Sequence, residues 1–145
     1  MEWAALIAWL LTAGGGFVLL AIWLSRGGMR QARETGSRIR PPLILGHFLL
    51  AATGLVLWIV YLWKDSDALA WIALVLLAIV AALGWAMFGI WLRRRQLERH
   101  GVAQESDPEE GIRPAEQHFP VAIVALHGVA AVTTIVLVLL ATVLD

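Results

Sequence analysis

Four stretches of this chain, residues 3–24, 42–63, 68–92 and 119–144, contain no Asp, Glu, Lys or Arg. Each exceeds the roughly 20 residues that a helix needs to cross the hydrocarbon of a bilayer. A helix on the surface of a soluble domain carries polar positions opposite its apolar stripe, and these stretches do not. Inside hydrocarbon the backbone must pair its own N–H and C=O groups, which makes each run a helix. The expected fold class is all-α: a polytopic membrane four-helix antiparallel bundle forming a single transmembrane domain over residues 1–145. The first run follows Met-Glu rather than a basic segment and is too long for a typical signal sequence, so it is expected to stay as the first span.

Composition removes several function classes. The formal net charge is zero, so nothing draws the whole chain toward nucleic acid. Cysteine is absent, which excludes disulfides, iron–sulfur clusters and thiolate metal sites. No nucleophile–base pairing, phosphate-binding loop or metal-ligand spacing is present, so the chain reads as a carrier or subunit rather than a stand-alone enzyme. The Gly14-Gly15-Gly16 run lies mid-span, where it cannot serve a nucleotide.

The basic residues set an orientation. Arg26, Arg30, Arg33, Arg38 and Arg40 fill the first loop and Arg93, Arg94, Arg95, Arg99 and Arg113 the third, while the second holds only Lys64 beside Asp65 and Asp67. The positive-inside rule then places loops one and three in the cytoplasm and both termini outside, as in a bacterial inner or plasma membrane. Loop one is basic enough to attract an anionic lipid leaflet. Trp3, Trp63 and Trp71 fall at the outer helix ends and Trp23 and Trp91 at the inner ends, the pattern of an interfacial aromatic belt, to which Tyr61 is also assigned. Trp9, Trp58 and Trp85 lie deeper, either facing lipid or packed inside. The third span is expected to continue as a helix through Arg93-Arg94-Arg95-Gln96-Leu97-Glu98. Residues 101–114 (GVAQESDPEEGIRP) read as a flexible cytoplasmic linker, with His100 and His118 as ordinary surface or interfacial side chains.

Two other histidines stand inside the spans. A titratable ring in hydrocarbon needs a partner, and both open a similar pattern: His47-Phe-Leu-Leu-Ala51-Ala-Thr53 and His127-Gly-Val-Ala-Ala131-Val-Thr133. A second match aligns Gly16, Ile22, Trp23, Leu24 and Arg26 with Gly84, Ile90, Trp91, Leu92 and Arg94. Together they indicate a tandem duplication of a two-helix hairpin, whose copies would be related by a pseudo-two-fold axis along the membrane normal. At 1.5 Å per residue, His47 and His127 lie roughly 8 and 12 Å inside the cytoplasmic boundary, one level within the error of the helix starts. If the second and fourth spans are diagonal, the rings face each other. Small residues accompany them: Ala51 and Gly54, then Ala130, Ala131 and Thr134, with Gly14, Gly15, Gly16, Gly84 and Gly89 at comparable depth on the other spans. Packing of helices explains any one glycine, and their matched positions suggest a cofactor slot.

In arrangement the chain resembles small membrane b-type cytochromes, of the cytochrome b561-like and respiratory membrane-anchor kind, across all four spans. The shared motif is short: His47 and His127 with Ala51, Thr53, Ala131 and Thr133. The resemblance implies one haem b per chain, its iron held by both histidines near the inner face. Arg40, just before the second span, is the candidate partner of a haem propionate. Relatives with two haems have a second histidine pair, which this chain lacks. Implied partners are membrane lipid, a quinol or redox protein, and a larger complex or a second copy. Three other readings compete: a haem-free structural or assembly subunit, a pigment or bare metal site, and a transporter or proton relay. Two histidines without carboxylates are few for a metal, and the spans hold no carboxylate or lysine to carry charge.

Overall fold

The computed structural model describes residues 1–34, 39–99 and 115–144, which are almost entirely helical. Four long helices, α1 (Glu2–Ser25), α3 (Pro41–Lys64), α4 (Asp67–Arg99) and α5 (Val121–Leu144), are long and apolar enough to cross a membrane. The all-α expectation holds, and the helix ends fall within two residues of the apolar runs except on α4. There the arginine-rich segment continues the helix, as its composition predicts. Two short elements were not foreseen: α2 (Gly28–Glu34) and a 3-10 turn at Ala115–His118. The proposed linker at 101–114 and His100 lie outside the described residues.

Local chemistry sets the helix boundaries. Two prolines open α3, where a missing N–H costs nothing and the fixed φ suits a helix start. Asp65 ends it in the left-handed conformation, with φ 49° and its N–H returned to the Tyr61 carbonyl. Between α1 and α2, Gly27 takes φ +77°, a turn that a side chain would strain. Gly28 then lies against the Trp23 ring, 2.2 Å from where a Cβ would stand, so only glycine fits there.

Helix α1 packs chiefly on α5, and α3 on α4; smaller contacts join α4 to α5 and α1 to α3. Among the described residues, the backbones of α1 and α4 do not come close to one another, nor do those of α3 and α5. α3 and α5 are therefore opposite one another, as are α1 and α4. Contacts also give direction: Glu2 and Trp9 of α1 meet Tyr61 and Trp58 of α3, so these two run in opposite senses.

Packing differs along the length of the helices. At the end formed by the start of α1 and the close of α3, Ala5, Trp9, Trp58, Tyr61, Ala70, Ala73, Leu77, Val138 and Ala141 form one buried core. Trp58 is fully buried, its ring centre 4.9 Å from Tyr61 and 6.4 Å from Trp9. Tyr61, assigned above to the interfacial belt, is instead inside: its hydroxyl bonds to the Glu2 carboxylate, which gives a buried phenol its partner. Toward the other end, none of residues 10–22, 41–53, 81–90 or 121–133 is buried, including those on the inward stripes. Burial returns at Trp23, Gly28, Ile39, Trp91, Ala115 and Glu116. The structure thus has a buried half, a half whose side chains are less buried, and a closing layer.

Trp58→Ala should cost about 3–5 kcal/mol, the range for large aromatic truncations in a core. Trp85→Ala, at a 63% exposed position, should stay within about 0.5 kcal/mol. Thermal unfolding of both variants in detergent checks the contrast, and equal losses would contradict the assignment of the core.

Candidate functional site: a paired histidine site between the helices

His47 rises from α3 and His127 from α5, helices that stand opposite one another. Both rings are half-buried, on the less buried level. Their centres are 6.5 Å apart, with the planes inclined at 68°. The sequence expectation that the two rings share one level and face each other is thus met in this geometry.

Each ring is fixed by the helix beside it. His47 Nδ1 lies 3.0 Å from the Val80 carbonyl on α4, and His127 Nδ1 lies 2.9 Å from the Thr12 carbonyl on α1. A backbone carbonyl can only accept, so each Nδ1 carries the hydrogen and donates it. In the neutral imidazole, Nε2 then keeps its lone pair. A carbonyl that already serves its own helix has a second lone pair for this purpose.

Glycine lets the rings come this close. A Cβ at Gly84 would sit 3.3 Å from His47 Cε1, and one at Gly16 would sit 3.2 Å from His127 Cε1. Gly15 also lies against His127, with Cβ contacts of 3.4 Å. Gly84 is four residues beyond Val80 and Gly16 four beyond Thr12, so acceptor and glycine share one face a turn apart. The glycines aligned in the sequence therefore do the same job on two helices: they seat a histidine ring. Gly14 and Gly89 have nothing within 4 Å of a built Cβ and take no part.

The other small residues play varied roles. Gly54 belongs to the buried half, against Trp9, where a Cβ would meet the ring at 3.0 Å. Thr134 is fully buried and its hydroxyl lies 2.9 Å from that of Thr12, joining α5 to α1. Thr53 and Thr133, the last positions of the repeated motif, bond back to the Leu49 and Val129 carbonyls of their own helices on exposed faces. They complete the motif in sequence but do not build the site. Ala51, Ala130 and Ala131 are half-buried on the histidine helices. Arg40 stands at the N-cap of α3 with an exposed side chain.

Sequence reasoning missed the layer that closes this level. Trp23 and Trp91, placed in the interfacial belt, are 0% and 7% exposed. Trp23 is covered by Gly28, while Trp91 packs on Phe88 and beneath the Arg95 guanidinium, 5.0 Å from its ring centre. Glu116 of the 3-10 turn is buried beside Arg94, 3.9 Å away, and Ala115 N–H donates to the Gln31 side chain of α2. The one available signal was that Trp23 and Trp91 matched in the internal alignment.

Histidine-selective 15N NMR should find Nδ1 protonated on both rings. Gly84→Val should displace His47 and alter its signals while leaving those of His127 in place; an unchanged His47 would contradict this seating. Comparison with protein-family models, with curated proteins and with solved structures finds no match for this chain.

Proposed function

We propose that this chain is a membrane b-type cytochrome, an antiparallel four-helix bundle of duplicated hairpins in which His47 and His127 hold one haem b between them. The observation that carries the reading is the matched pair of rings. Both are oriented through Nδ1 by a backbone carbonyl, which leaves two Nε2 lone pairs on facing helices. Histidines that bind metals commonly donate their other ring N–H to a carbonyl, which fixes the tautomer and strengthens the ligand.

The spacing suits such a role. With a metal–nitrogen bond of about 2 Å and roughly 1.1 Å from nitrogen to ring centre, two imidazoles on opposite sides of one ion have centres about 6 Å apart. The observed separation is 6.5 Å. Among the described residues no group of three or more His, Cys, Asp or Glu could hold a metal. A bare ion would want three or four protein ligands, whereas a porphyrin brings four of its own and asks the protein for two. The half-buried inward stripes of the same level supply apolar walls for a flat macrocycle.

Bound haem supplies one-electron redox chemistry at a low-spin iron. The chain's own residues orient both ligands through the Val80 and Thr12 carbonyls, seat them against Gly84, Gly15 and Gly16, and cover the level with Trp23 and Trp91. In the proposed orientation the site lies in the cytoplasmic leaflet, and Arg40 offers a positive charge to a propionate from the surface. A quinol or a redox protein is the proposed electron partner.

A haem-free structural subunit is the second reading, and the same two bonds support it, since each ties one helix to its neighbour. It leaves unexplained why the two rings are brought within 6.5 Å of one another when each is already partnered by its own neighbouring helix.

The purified protein, expressed with adequate haem supply, should show a Soret band and a sharp α-band on dithionite reduction. His47→Ala and His127→Ala should each abolish the low-spin spectrum. Colourless protein, or either variant with an unaltered spectrum, would reject the proposal.

A further inference from the structure

The two tryptophans that close the histidine level have buried indole nitrogens that make no hydrogen bond. Trp23 Nε1 and Trp91 Nε1 are both in this condition, in side chains that are 0% and 7% exposed. A buried donor left unmade costs about 1–3 kcal/mol, and tryptophan normally finds a partner when its N–H is enclosed. Among the described residues Arg94 Nη1 and His118 Nδ1 share this condition, but the two indoles are on opposite helices, at positions that match in the internal alignment.

Their placement relates them to the histidines. On α1 the inward residues run Ala5, Trp9, Thr12, Gly16 and Trp23, at steps of three, four and seven; on α4 they run Ala73, Leu77, Val80, Gly84 and Trp91. Each tryptophan is thus on the same face as the glycine that seats a histidine, seven residues further on. That is about 10 Å along the axis, a distance the propionate arms of a haem span from the iron.

We infer that Trp23 and Trp91 are hydrogen-bond donors to the two propionates of the bound haem, one from each repeat. The inference rests on the haem reading of His47 and His127 and assigns which edge of the group faces the cytoplasmic end. Hydrogen bonds from neutral donors to a carboxylate are strengthened by its charge. Arg94, three residues beyond Trp91, has a buried Nη1 that also lacks a hydrogen bond. It lies 3.9 Å from the Glu116 carboxylate of the same layer and offsets that negative charge. Arg40, exposed at the same end, adds charge from outside.

The test compares two porphyrins in the reconstituted full-length protein: iron protoporphyrin IX and its dimethyl ester, which keeps the macrocycle and loses both carboxylates. Trp23→Phe and Trp91→Phe should each weaken retention of iron protoporphyrin IX about tenfold, the effect of one hydrogen bond to a charged group, and weaken that of the ester clearly less, because its neutral carbonyls accept a weaker bond. The indole 15N–1H signals of the two tryptophans should move further when iron-free protoporphyrin IX binds than with its dimethyl ester, a readout that needs no variant to fold. Equal weakening of both porphyrins, or indole signals indifferent to the carboxylates, would overturn the inference while leaving the histidine ligation standing. If the wild type takes up neither iron porphyrin with a low-spin spectrum, the haem reading falls and this inference with it.

Discussion

Everything specific about this molecule depends on two hydrogen bonds from histidine rings to main-chain carbonyls of adjacent helices. On a helix long and apolar enough to cross a membrane, an imidazole placed in hydrocarbon would have no water to turn to, so its polar atoms must be met inside the protein. Val80 and Thr12 meet Nδ1 with their carbonyl oxygens, and Gly84 and Gly16 keep the approach open. Once Nδ1 is the donor, the tautomer is settled. The remaining nitrogen of each ring is then a lone pair with no task inside its own helix pair. Two such lone pairs on facing helices are what the haem proposal draws on.

Stability and chemistry occupy different halves of the same four helices. The aromatic cluster of Trp9, Trp58 and Tyr61, tied to Glu2 by hydrogen bonds, packs one half closely. Helices in lipid gain little from burying apolar groups, so this packing and its polar ties hold them together. In the histidine half the inward side chains stay half-buried until Trp23 and Trp91, and the glycines there bring backbone against the two rings. The closing layer draws on α2 and the 3-10 turn as well as the long helices, which fixes its shape from the loop side.

Much of this was legible in the residues. Hydrocarbon length set the four helices, because a run without charges has little freedom in a membrane. The cost of a buried imidazole singled out His47 and His127, and the matched glycines pointed to their neighbours. What the sequence could not deliver was burial at the helix ends. Trp23 and Tyr61 satisfy the rule for an interfacial belt, and only tertiary neighbours draw them inside: Gly28 and the α2 segment for one, the Glu2 carboxylate for the other. Those neighbours sit in stretches with no hydropathy period to reveal them. The motif threonines erred in the other direction. Thr53 and Thr133 recur in register, yet each only satisfies its own helix.

Electron paramagnetic resonance of the oxidised, haem-loaded protein tests the central claim most directly, because it reads the ligands and their relative orientation together. Imidazole planes inclined at 68° predict a low-spin ferric signal of strong anisotropy, with its largest g value well above that of parallel bis-imidazole haem. A high-spin signal, or a low-spin signal typical of parallel rings, would contradict a haem held between His47 and His127 in this geometry.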